Sequence, residues 1–190
     1  MTISDADRSR EGFDVIVCLS GGVDSIVATR LCQLAGLRCA ALHFNLHGPS
    51  SPAELKAARG FCEQWQVPLE IVDFCPSQTI PFARQADEFF GPLMFLMLGS
   101  CLAMSTGSQS VALGLTAEQV EAFVADARWP AAKSILSTIR FPLKDLSKPE
   151  VLRRAAEVDL LLEETWSCVA ACDTPCGQCF ACRDRLHAEV

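Results

Sequence analysis

The sequence predicts an α/β fold, a doubly wound parallel sheet followed by a small cysteine-bearing C-terminal module. Three observations predict it. An apolar, β-branched run from Phe13 to Leu19 ends at a glycine pair. Strand-like and helix-like segments then alternate along the chain, the pattern of repeated βαβ units. From Thr165 the composition turns to Cys, Asp, Pro, Gly and Arg, with little apolar periodicity.

Each element has its own signal. Phe13 to Leu19 is nearly unbroken in apolar character, as a strand buried on both faces should be. Beyond the glycines, Ile26, Val27, Leu31, Leu34 and Leu37 recur at helical spacing, and Gly36 suits the helix end. Cys39 to Leu46 reads as a second strand, and Pro52 to Gln66 as a helix with Ala53, Ala57, Phe61 and Trp65 on one side. Leu69 to Phe74 is a third strand, Glu88 to Thr106 a helix, Ser110 to Leu115 a fourth strand, and Thr116 to Arg128 an acidic-faced helix. Pro149 opens a helix expected to run to about Leu162, because proline is tolerated in a first turn. A short final helix ends the chain.

Length and composition limit the function. With 190 residues and 50% hydrophobic content, one buried core fits, assigned to residues 1–164, with 165–190 as an appended module. A net charge of -7 disfavours nucleic acid as a partner, since phosphate-backbone affinity comes from Lys and Arg displacing counterions. Residues 1–12 lack the apolar stretch of a secretory signal, so a cytoplasmic location is expected. The apolar run Phe89 to Met104 is interrupted by Gly91, Pro92 and Gly99 and falls short of the ~20 residues that span a bilayer. It reads as a buried helix, with Met94, Phe95, Met97 and Met104 as core packing.

Eleven cysteines in such a chain point away from a disulfide framework and towards metal ligation for some of them. Cys18, Cys32, Cys39, Cys62, Cys75 and Cys101 lie in apolar segments and are expected to pack as small hydrophobes.

Ser20-Gly21-Gly22-Val23-Asp24-Ser25 follows a buried strand and opens a helix. Unpaired backbone N–H groups and the positive helix end converge there, which favours phosphate. The glycines allow close backbone approach, and the hydroxyls of Ser20 and Ser25 add donors. Asp24 would repel phosphate unless it holds Mg²⁺ or orients other donors. The loop lacks the lysine of a P-loop, and its glycines are adjacent rather than spread as in a dinucleotide fingerprint.

Cys168, Cys176, Cys179 and Cys182 have seven, two and two residues between them. Thiolates this close can occupy neighbouring corners of a Zn²⁺ tetrahedron, and metal binding would then fold a tail too poor in apolar residues to fold by burial. Cys172 is an alternative to Cys168 as ligand, and an iron-sulfur cluster can also use four thiolates.

The loop matches the SGGxDS signature of the PP-loop (N-type ATP pyrophosphatase) class at every fixed position. That resemblance implies an adenine nucleotide alpha hydrolase-like, Rossmann-like sheet that binds ATP with Mg²⁺ and splits it into AMP and pyrophosphate. Phe141-Pro142-Leu143-Lys144-Asp145-Leu146-Ser147-Lys148-Pro149-Glu150-Val151 is followed by Glu164-Thr165-Trp166-Ser167-Cys168 and the remaining cysteines, with Arg183 and Arg185 behind them. These segments resemble the C-terminal half of the QueC family of 7-cyano-7-deazaguanine synthases.

The resemblance implies a structural Zn²⁺ on Cys168, Cys176, Cys179 and Cys182, and an enzyme that converts 7-carboxy-7-deazaguanine to its amide and nitrile with ATP and ammonia. It assigns Asp24, Ser25 and Lys148 to catalysis, and Ser20 to Ser25 with His43, Phe44 and Gly114 to the nucleotide. Adenine would lie around His43, Phe44 and Asn45, and a homodimer is the family's suggestion.

The middle of the chain departs from the family. Asn45-Leu46-His47-Gly48-Pro49, Phe90-Gly91-Pro92-Leu93 and Thr116-Ala117-Glu118-Gln119 stand where the family has Tyr-Gly-Gln-Arg-His, Pro-Gly-Arg-Asn and Tyr-Pro-Asp-Cys. The acceptor is therefore open: a small carboxylate, a protein joined to a deazaguanine-type group, a tRNA to be thiolated, or none in a non-catalytic nucleotide-binding module. Glu54 and Glu118 have the chemistry to polarise ammonia but are expected on solvated helix faces. His47 is expected in a loop.

Overall fold

The computed structural model describes residues 12–73, 90–134, 138–170 and 172–188. Five parallel strands form one sheet in the order β3-β2-β1-β4-β5, with β1 Val15–Cys18, β2 Cys39–Asn45, β3 Leu69–Asp73, β4 Ser110–Leu113 and β5 Thr138–Arg140. The predicted class is the observed one. The helices are α1 Val23–Leu34, α2 Ser51–Gln64, α3 Phe90–Thr106, α4 Ala117–Ala125, α5 Trp129–Lys133, α6 Lys148–Glu157 and α7 Phe180–Ala188, with a 3₁₀ turn at Leu162–Glu164.

The strands alternate between two cores, as their period of two requires. Val15 and Val17 of β1 face Ile26 and Val27 of α1, Phe61 of α2 and Val151 of α6. Ile16 and Cys18 face the other way, towards Leu96 and Ala103 of α3, Phe123 of α4 and Ala132 of α5. With both faces covered, β1, β2 and β4 are buried almost throughout, whereas edge strands β3 and β5 are only partly so.

The chain winds from β1 outward to β2 and β3, then crosses to β4 on the opposite side of β1. Connections leaving β1 and β4 therefore diverge at the carboxyl ends of these strands and open a crevice there.

Several expectations need correction. The helix expected over Thr116 to Arg128 ends at Ala125, because Asp126 is extended and takes the Arg128 guanidinium at 2.6 and 2.7 Å. Those bonds hold the Asp126 carboxyl down to about pKa 2, and Pro130 then starts α5 as a separate turn. The helix opened at Pro149 stops at Glu157, since Asp159 adopts a left-handed φ of 58°. The edge strand β5 has no counterpart in the sequence reading.

The apolar stripe of α3 is also not all core: Met97 and Cys101 are exposed, and Met104 is 78% exposed. The helix lies across one face of the sheet and buries only the side carrying Leu96, Ser100 and Ala103. Cys18, Cys32, Cys39 and Cys62 are buried as expected. Cys75, Phe74 and the start of the helix expected from Glu88 lie outside the described residues. No helix among the described residues is long and apolar enough to cross a membrane.

Candidate active site

The phosphate loop leaves β1 at the crevice. Gly22 caps α1 with an extended backbone and no side-chain bond, and the first rung of the helix is Ile26 N–H to Gly22 C=O at 3.1 Å. The N–H groups of Val23, Asp24 and Ser25 thus lie ahead of the helical ladder, at the positive end of α1. The two serines brace the loop. Ser25 Oγ donates to Gly22 C=O at 2.9 Å and accepts Ser20 N–H at 3.2 Å, while Gly22 N–H donates to Ser20 Oγ at 3.2 Å. The two hydroxyl oxygens are 3.1 Å apart.

Two glycines are required by geometry. Gly21 has φ +88°, and a Cβ there would collide with the Glu54 carbonyl oxygen of α2. A Cβ on Gly114, just past β4, would lie 2.8 Å from the backbone carbonyl atoms of Asp24. The bare backbone at Gly114 lets β4 close against the loop.

Lys148 connects the far half of the chain to this spot. Its Nζ donates to both carboxylate oxygens of Asp24, at 2.7 and 2.8 Å, with the two side chains 20% and 24% exposed. Lys148 is held by the N-terminus of α6, where Ser147 and Glu150 form a capping box. Glu150 Oε2 takes both Ser147 N–H at 2.7 Å and Ser147 Oγ–H at 2.6 Å. Asp24 is therefore neutralised by a lysine at the place where an anion would bind, and it aims that lysine.

A cavity of about 340 Å³ adjoins the loop. Ser20, Gly22, Asp24 and Ser25, with Glu54 and Gln119, form its polar wall; Phe44, Phe95, Leu113 and Gly114 are among its apolar lining. The Phe44 and Phe95 rings stack at 4.8 Å. Such a site, anionic-group donors at one end and flat aromatic surface at the other, suits a nucleotide. A larger groove of about 880 Å³ runs between α2 and the tail, past Lys56, Phe61 and Trp166, and contains none of the loop hydroxyls.

The sequence-assigned residues fall unequally. Ser20 to Ser25, Lys148, Phe44 and Gly114 gather at the loop or cavity. His43 does not line the cavity. It is 1% exposed beneath the loop, where Nδ1 lies 2.9 Å from the Leu19 carbonyl, which places the proton on Nδ1. Its Nε2 is buried and has no hydrogen-bond partner among the described residues. His47 lies at the β2 end with φ 54°, its Nε2 3.1 Å from Asp73.

Glu54, expected on a solvated face, is half-buried, lines the cavity and accepts Ser50 Oγ–H at 2.8 Å; Glu118 is exposed as expected. Phe95, expected as core packing, forms cavity wall. The periodicity of α3 marks it as apolar and cannot say which apolar residue meets the crevice.

In the tail, the Sγ atoms of Cys168, Cys176, Cys179 and Cys182 all lie within 4.8 Å of one another. Tetrahedral Zn²⁺ with Zn–S bonds of about 2.3 Å needs S–S edges of about 3.8 Å, so small shifts close this set on an ion. The N–H groups of Cys176 and Ala170 point at Cys168 Sγ from 3.5 Å, and these bonds, Cys176 first, bring its pKa down to about 6. That favours the thiolate a cation requires. Cys172 Sγ lies 3.5 Å from Cys168 Sγ but stands outside the mutually close set.

Comparison with known proteins places this architecture. A family model described as "Queuosine biosynthesis protein QueC" matches residues 14–83 and 91–189. A 7-cyano-7-deazaguanine synthase of Sulfurovum sp. is 25% identical, covering 93% of this chain and 93% of its own. One from Synechococcus sp. is 29% identical over 91% of each.

Among solved structures, the U34-tRNA thiolase NcsA from Methanococcus maripaludis with its [4Fe-4S] cluster superposes with a TM-score of 0.61 at 18% identity. The match covers 94% of this chain and 64% of that one, a likeness of fold. Because the family match runs through the phosphate loop, Lys148 and all four tail cysteines, the chain belongs to the QueC family of queuosine biosynthesis proteins.

Proposed function

We propose that this protein, an ATP-dependent ligase by family, adenylates the carboxylate of 7-carboxy-7-deazaguanine or a close analogue and passes the acyl group to ammonia. The reaction balances in two stages. A carboxylate oxygen attacks the α-phosphorus of ATP, pyrophosphate leaves, and ammonia displaces AMP to give the amide. Adenylation of the amide oxygen by a second ATP releases a second pyrophosphate, and loss of AMP together with the two amide protons then gives the nitrile.

The observation that carries this reading is the bidentate Lys148–Asp24 pair at the N-terminus of α1, beside a cavity walled by two stacked phenylalanines. In the proposal, the N–H groups of Val23, Asp24 and Ser25 take phosphate oxygens, and Lys148 neutralises the charge that develops as pyrophosphate departs. Asp24 holds Lys148 in position and is the residue available to Mg²⁺ brought in with the nucleotide. Adenine lies against Phe44. The metal of the tail is assigned as Zn²⁺ on Cys168, Cys176, Cys179 and Cys182, a closed four-thiolate site whose contribution is to fold residues 165–190 onto the ATP-binding unit of 1–164.

Purified protein incubated with ATP, Mg²⁺, ammonium and 7-carboxy-7-deazaguanine tests the reading, with AMP, pyrophosphate and product mass followed together. Amide or nitrile matched by AMP is the expected result. AMP without such a product moves the proposal to another acceptor, a protein included. A brown protein holding iron in place of colourless protein with one zinc would overturn the metal assignment.

A further inference from the structure

The tail and the phosphate loop meet through the main chain. Trp166 N–H donates to Gly21 C=O at 2.9 Å, and a Cβ on Gly22 would lie 3.4 Å from the Trp166 carbonyl oxygen. The same residue reaches the other way: its indole Nε1–H donates to Cys168 C=O at 2.7 Å. Cys168 belongs to the thiol set. On its far side, Gly21 is wedged against the Glu54 carbonyl of α2. The loop is thus gripped between α2, which is held by burial, and the tail, which has few apolar contacts of its own.

We propose that Trp166 is a positioning residue that couples the cysteine site to the phosphate loop, so that metal in the tail strengthens nucleotide binding and nucleotide strengthens metal binding in return. This rests on the reading of the loop as an ATP site. With metal bound, Cys168 is fixed, the indole is fixed to it, and Trp166 N–H holds Gly21 with the loop donors aimed at the cavity. With the tail loosened, Gly21 loses that partner and the loop must be ordered at the nucleotide's expense. Coupling between two binding events is reciprocal, so each ligand changes the other's affinity by the same factor.

The test uses the full zinc-replete protein and α,β-methylene-ATP with Mg²⁺, which cannot be cleaved at the reacting bond. Trp166→Pro removes the N–H donor, and the preceding Thr165 already has the extended backbone that a following proline needs. It is expected to bind the analogue at least tenfold more weakly while keeping one zinc per chain. Trp166→Phe keeps the main-chain bond to Gly21 and loses the indole donor to Cys168, so it should weaken the analogue less than Trp166→Pro does while lowering the linkage between analogue and zinc seen in wild type.

In wild type, saturating analogue should tighten zinc against a competing chelator by about the factor that Trp166→Pro loses. Unchanged zinc affinity in wild type, or wild-type nucleotide affinity in Trp166→Pro, overturns the coupling. If Trp166→Pro loses its zinc, the wild-type linkage decides alone. If wild type does not bind the analogue at all, the ATP reading itself falls.

Discussion

The phosphate loop and the cysteine tail touch at Gly21 and Trp166, yet they are held in place by opposite means. The loop hangs between β1, whose Val15, Ile16 and Val17 are fully buried, and α1, whose Ile26, Val27 and Ala28 are too. Around the tail, Phe180 is 70% exposed, and Val169 and Leu186 also face outward. The tail brings four thiols together and adds polar bonds such as Arg185 to Thr165 Oγ1 at 3.1 Å, and in the proposed reading a metal on those thiols supplies its order. A site at the junction inherits both dependences. Damage to the core should unfold everything, whereas damage to the tail should leave a folded sheet with a poorly held loop.

The largest test of that contrast is removal of the metal site. Cys176→Ser with Cys179→Ser should abolish metal binding, worth on the order of 10 kcal/mol to a small zinc module, and release α7 to hydrogen exchange. The amides of β1, β2 and β4 should stay protected. Melting of the sheet in the same step would show that the two regions are one cooperative unit.

Next in size, Lys148→Ala leaves Asp24 half-enclosed without its cation. Pyrophosphate release should fall at least a hundredfold, about 3 kcal/mol, measured in steady state with no loss of zinc. A smaller effect is expected for Gly114→Ala, whose Cβ meets the Asp24 backbone at 2.8 Å. Overpacking there should cost about 2 kcal/mol of stability in urea titration and weaken nucleotide binding. Ser147→Ala, which removes the cap that presents Lys148, should cost about 1 kcal/mol in the same titration.

Legibility in the sequence followed these same two modes of support. Strand β1, the glycine loop and α1 could be read because burial on both faces leaves an unbroken apolar run and then a helical period. The thiol set could be read because ligand spacing is local. Edge strand β5 could not: it has three residues, only the middle one partly buried, and it is defined by pairing with β4. The break at Asp126 depends on one carboxylate finding Arg128 rather than on any change of period.

Glu54 reached the cavity because the path of Gly21 across α2 chose which side of that helix faces the loop, a tertiary outcome. The Trp166 to Gly21 bond is between main-chain atoms, and side-chain patterns carry no trace of it.

Asp24 and its lysine are separated by 124 positions in the chain. During synthesis the first 113 residues can supply β1 to β4 and the loop, but the cation that neutralises Asp24 and the amide that holds Gly21 emerge only in the final stretch. Because contacts so distant in sequence close late, the nascent chain acquires four of its five strands before it acquires a finished nucleotide site. A ribosome stalled after β4 would hold a chain bearing the whole glycine motif and lacking both the partner of Asp24 and the donor to Gly21.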